Sequence, residues 1–80
     1  MAVDPKLLEK ARRAPSTLRI EEALQLGRQL GFAKVRQVRG HRILRHPHLS
    51  PLNLQEGAGG HAKVYQVRRM LRAAKGGSHA

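Results

Sequence analysis

Two histidines and three arginines crowd around three aliphatic residues in VRGHRILRHP, residues 38–47. Histidine exchanges protons near neutral pH. Arg39, Arg42 and Arg45 lie close enough to His41 in sequence to hold a phosphate beside it. One proton-transfer side chain amid fixed positive charge suits RNA cleavage. The 2′-hydroxyl of RNA supplies the nucleophile, so the protein need only move protons and stabilise an anionic phosphorane. A lone histidine is a weak signal, however, and spacing alone favours the plainer reading of His41 as a polar strand residue paired with a carbonyl.

Other chemistries lack their residues. His41, His46 and His48 have metal-site spacing, but the nearest acid is Glu56 and no thiolate exists, so no metal ligand set is assigned. The chain contains no cysteine, which excludes disulfides and suits a reducing compartment. "GAGG" is too short for a dinucleotide loop. Of the two aromatics, Phe32 after Gly31 belongs in a core. Tyr65 either packs against a sheet or reaches a phosphate. Two aromatic rings cannot build a base-stacking platform, so nucleic-acid contact would fall on backbone and shape.

The charge balance points the same way. Sixteen Lys and Arg oppose five Asp and Glu in 80 residues, a formal charge of +11. Glu56 is the sole acid after residue 33, against ten basic residues there. A field of one sign implies a polyanionic partner, nucleic acid before an acidic protein. No helix pairs a basic face with Trp or Phe, which disfavours a membrane surface. No apolar run is long enough for a bilayer span or a signal peptide, so the reading is cytoplasmic.

The elements that must position these residues follow from pattern. Asp4-Pro5 starts a helix that ends near Arg13, with Leu7, Leu8 and Ala11 as a weak apolar stripe. Ile20, Ala23, Leu24, Gly27 and Leu30 form one face of a second helix, Glu21 and Glu22 suit its first turn, and Gly31 terminates it. "FAKVRQVRG" and "HRILRHP" read as a hairpin turning at Arg39-Gly40, and "LNLQ" as a third strand with Leu52 and Leu54 on one face. "EGAGGH" reads as a flexible connector. A last helix from His61 should bury Val64, Val67, Leu71 and Ala74, with Met70 at the edge and Arg68, Arg69 and Arg72 outward. The expected class is α+β, with an antiparallel three-stranded sheet, helices on one face and an open basic face opposite.

Residues 18–72 resemble the HicA family, the toxin half of HicA–HicB toxin–antitoxin pairs. "LRIEEALQLGRQLGF" is similar to the family's first helix and its Gly-Phe end. "RGHRILRHP" is similar to its Gly-Ser-His segment with a following His-Pro, and "LNLQ" to a third strand of one branch. "GHAKVYQVRRML" is similar to that branch's Gly-Lys-Ala-Lys-Pro-Tyr-Gln-Val helix start. The resemblance implies a double-stranded RNA-binding-domain-like fold, helix–three strands–helix, at 18–75. An extra N-terminal helix and linker (1–17) would precede it and a flexible tail (76–80) would follow. It implies an endoribonuclease cleaving mRNA without metal or organic cofactor, neutralised by a HicB-like antitoxin. The catalytic histidine falls on His41, with Arg39, Arg42, Arg45, Lys63 and Arg68 contacting RNA. The chain departs from the pattern where the family's Gly and Ser fall on Arg39 and Gly40, and its Lys and Pro on His61 and Val64. A non-catalytic RNA- or ribosome-binding module, or an inactive relative that only binds its partner, stands as the alternative.

Overall fold

A computed structural model describes residues 3–77, with side chains through residue 75. The chain runs α1 (Pro5–Arg13), a 3-10 turn (Pro15–Thr17), α2 (Ile20–Gln29), β1 (Ala33–Val38), β2 (His41–Arg45), β3 (Leu52–Gln55), a second 3-10 turn (Ala58–Gly60) and α3 (Val64–Gly77). The class is α+β, and the antiparallel sheet has the order β1-β2-β3.

Local chemistry accounts for the helix starts. Asp4 caps α1 by accepting the Lys6 N–H at 3.0 Å, and Pro5 fills a position that needs no donor. α2 begins after Arg19, whose side chain cannot accept a hydrogen bond. Glu22 serves instead. Its carboxylate accepts the Arg19 N–H at 2.9 Å and takes the Lys10 ammonium of α1 on both oxygens at 2.9 and 3.0 Å. The backbone bond first, and Lys10 second, hold the Glu22 carboxyl below the ordinary carboxylate range.

The hairpin turn has positive φ at both central residues, 49° at Arg39 and 81° at Gly40, the pattern that matches the twist of paired strands. From it β1 and β2 pair Val38 with His41, Gln37 with Arg42 and Arg36 with Ile43. The register then shifts between Lys34 and Arg36, leaving Val35 as the extra residue. β3 pairs Gln55 with His41 and Leu52 with Leu44.

Strand alternation sends Leu44, Leu52 and Leu54 to the helix-covered face, where they share one core with Leu26, Phe32, Val67 and Met70. α1 contributes Leu7 and Ala11 to that same core. Of the expected core residues, Leu30 and Leu71 are only half-buried; of the neighbours Ile43 and Leu44, Leu44 is the one that enters the core.

Three local expectations change. The last helix starts at Val64 instead of His61, because His61 and Ala62 bridge to Arg19 and Glu56, and the Ala62 N–H donates to Leu18 O at 2.8 Å. That helix is also rotated from the expected face. Val67 and Met70 are fully buried while Val64, Leu71 and Ala74 are half-buried. The cause is Gln66, itself buried, whose side-chain oxygen accepts the Gln55 N–H at 2.7 Å and draws its own flank inward. The expected flexible connector is an ordered turn with Gly59 and Gly60 at positive φ. α3 continues through Gly77, and residues 78–80 of the expected tail lie outside the described residues.

Two stability measurements check this packing. Leu54→Ala leaves a hole under the sheet and should cost about 2–4 kcal/mol in denaturant unfolding. Glu22→Gln should cost on the order of 1 kcal/mol at neutral pH, the usual scale for a helix cap. Because folding lowers the Glu22 carboxyl, its contribution is complete above the unfolded carboxylate range and is lost as pH falls through the folded value. The gap between Glu22→Gln and wild type should therefore close in acid; a gap independent of pH contradicts the assigned role.

Candidate functional site

Residues paired across an antiparallel ladder point to the same face. His41, Ile43 and Arg45 of β2 therefore share the face away from the helices with Val38 and Arg36 of β1 and with Asn53 and Gln55 of β3. No acidic residue belongs to this set. A shallow depression of about 420 Å³ opens there, lined by Arg36, Val38, Arg39, His41 and Ile43.

His41 stands between two carboxamides. Asn53 Nδ2 lies 3.0 Å from His41 Nδ1, and Gln55 Nε2 lies 3.1 Å from His41 Nε2. A carboxamide presents a donor or an acceptor according to which end faces the ring. Asn53 and Gln55 can therefore satisfy either neutral tautomer of the imidazole, and with both oxygens turned inward they satisfy the imidazolium. Such a cradle steadies the ring and tolerates gain or loss of a proton. That is what a general acid–base catalyst requires.

The arginines divide into groups. Arg39, at the tip of the turn, and Arg36 flank His41. Arg45 shares the face but lies four strand residues away, roughly 13 Å at the usual rise per residue. Arg42 points to the other face, opposite Leu54. Its Nη1 donates to Gly40 O at 3.0 Å, its Nη2 lies 3.6 Å from Glu56 Oε1, and only 14% of its side chain is exposed. Arg42 thus braces the turn and is not beside His41. Lys63 precedes α3 and runs past Gly57, two residues beyond Gln55; a Cβ at Gly57 would lie 3.7 Å from its Cγ. Arg68 faces a separate groove between α3 and α1.

Three residues of this arrangement were not singled out from sequence: Arg36, Asn53 and Gln55. The signal was present. A two-residue turn at Arg39-Gly40 dictates that Arg36 opposes Ile43, and the alternation of "LNLQ" puts Asn53 and Gln55 on the face opposite Leu52 and Leu54.

The other histidines have different surroundings. The His46 ring packs edge-on to Phe32 at 4.9 Å and covers Gly31, where a Cβ would sit 2.8 Å from its Nε2; its Nδ1 accepts the His48 N–H at 3.0 Å. His46 is thereby a packing residue that joins the end of α2 to the end of β2. His61 Nδ1 lies 3.3 Å from Ala58 O. Tyr65 is 64% exposed, so it does not pack under the sheet; its hydroxyl oxygen accepts from Gln66 Nε2 at 3.4 Å. Among the described residues no three His, Cys, Asp or Glu side chains converge to hold a metal, and no helix is long and apolar enough to cross a membrane.

The chain was compared with protein-family models, with curated proteins and with solved structures, and none matches.

The division of arginines has a measurable consequence with a single-stranded RNA oligonucleotide. Arg36→Ala should weaken binding and lower the salt dependence by about one phosphate contact. Arg42→Ala should leave the oligonucleotide affinity near wild type and instead lower stability by about 0.2–1 kcal/mol through loss of the Glu56 pair. Equal losses of affinity in both variants would contradict the assigned faces.

Proposed function

We propose that the protein is a metal-independent endoribonuclease of the HicA type, a toxin that cuts mRNA in the cytoplasm and is neutralised by a HicB-like antitoxin. The observation that carries the reading is His41, cradled by Asn53 and Gln55 beside Arg36 and Arg39 on a sheet face without acids. The α2–β1–β2–β3–α3 order supports the double-stranded RNA-binding-domain-like fold that the family resemblance implies. The HicB-like partner rests on that resemblance alone.

In this reading Arg36, Arg39 and, further along the strand, Arg45 hold the RNA backbone over the sheet. Gln55 swings aside and frees His41 Nε2, while Asn53 keeps the ring oriented through Nδ1. Nε2 takes the proton of a 2′-hydroxyl, whose oxygen attacks the adjacent phosphorus. The P–O5′ bond breaks, giving a 2′,3′-cyclic phosphate and a 5′-hydroxyl. Attack in line puts the leaving oxygen on the far side of phosphorus, so it takes its proton from water on this open face, and the imidazolium returns its own to solvent. Arg36 and Arg39 stabilise the dianionic phosphorane formed between these events.

The engagement of both ring nitrogens of His41 also favours a second reading, a non-catalytic RNA-binding module in which the imidazole is a fixed polar strut. Purified wild type and His41→Ala separate the two on a long RNA in the presence of a chelator. We expect His41→Ala to lose about 10²–10⁴-fold in cleavage rate with its melting temperature and most RNA affinity retained. Wild-type protein that binds RNA and never cuts it selects the strut.

A further inference from the structure

The opposite side of the molecule carries a second basic surface of different composition. A groove of about 680 Å³ runs between α1, the end of α2 and α3. Leu8, Leu30 and Leu71 line it, all three packed on the core yet only partly covered. Arg12, Arg68 and Arg72 are exposed along it, no acidic residue lines it, and none of the three has an acidic partner among the described residues. The strand face around His41 pairs cations with polar amides; this groove pairs cations with leucines.

We propose that the groove is the docking site for an acidic amphipathic segment of a partner protein. Charge complementarity selects an anionic occupant, and the leucine floor selects one that also offers aliphatic side chains. A nucleic acid meets the first condition alone, because its sugar–phosphate backbone has nothing to bury against three leucines. A bilayer surface is flat, whereas a groove between helices takes a single ridge of side chains, as an amphipathic helix presents at positions i, i+3, i+4 and i+7. Since α2 and α3 cover one face of the sheet with α1 packed on them, and His41 lies on the other face, the segment leaves His41 open. A partner seated here tethers the protein without plugging its strand face.

The test uses the full chain and a fluorescent helical peptide with leucines at that spacing and glutamates elsewhere, read by anisotropy. The expected result is saturable binding that falls tenfold or more in Arg68→Glu/Arg72→Glu and in the more conservative Leu8→Asn. Arg36→Glu on the strand face should leave the peptide affinity within about twofold, and a single-stranded RNA oligonucleotide should bind the peptide-saturated protein. The proposal is overturned by any of four results: no peptide binding; a polyglutamate of equal charge binding as tightly; equal losses from Arg36→Glu and the groove variants; or groove-dependent binding of phosphatidylglycerol vesicles stronger than that of the peptide. None of these readouts requires cleavage, so failure of the ribonuclease reading and failure of this one are distinguishable.

Discussion

The register of the β1–β2 hairpin decides what stands beside His41. Arg39 and Gly40 supply two consecutive positive φ angles, and the ladder that leaves them pairs Val38 with His41 and Arg36 with Ile43. A slip of one residue would exchange the faces of the strand, sending Leu44 to solvent and His41 under the helices. Burial of Leu44, Leu52 and Leu54 forbids that slip. The same leucines that stabilise the fold therefore present His41, Asn53 and Gln55 together on the other side. The extra residue at Val35 comes after the register has been set, and it bends only the outer part of β1, an exposed edge carrying Lys34 and Arg36.

A few polar links connect the helices to this sheet and to each other. Gln66 receives a β3 backbone N–H, Glu22 joins the start of α2 to Lys10 of α1, and Ala62 ties the approach to α3 to Leu18. These contacts use groups that would otherwise be left unsatisfied at element ends. With the helices held on one face, two distinct basic surfaces form on opposite sides of the molecule. One surrounds a histidine and two carboxamides, and the other surrounds leucines. Arg42 belongs to neither, since Glu56 and the Gly40 carbonyl occupy it.

Much of this was legible in the sequence, and the limits have physical causes. The cap at Asp4, the Gly31 terminator, the turn at Arg39-Gly40 and the alternation of Leu52 and Leu54 are local signals, and each element they predict is present. The rotation of α3 was hidden because a glutamine carries no hydrophobic signal, yet Gln66 is buried to satisfy a distant backbone donor. Arg39, Arg42 and Arg45 looked equivalent by proximity in sequence. Strand alternation places Arg42 on the opposite face from Arg45, and proximity does not report facing. The alternation of LNLQ puts Asn53 and Gln55 opposite Leu52 and Leu54, but their meeting with His41 needs the pairing of β2 with β3, which no local pattern encodes. The coupling of Gly31, Phe32 and His46 is likewise a contact between two chain segments, visible only once both are folded.

We propose that the strand face cuts RNA by using the 2′-hydroxyl as nucleophile, with His41 moving the proton. The most direct test is the chemistry of the ends produced. A short RNA cleaved in the presence of a chelator should yield a 2′,3′-cyclic phosphate and a 5′-hydroxyl by mass spectrometry, and a single 2′-deoxy substitution at the cut site should block cleavage. A 5′-phosphate product, or undiminished cutting of the 2′-deoxy substrate, would show that water attacks instead and would contradict the role given to His41.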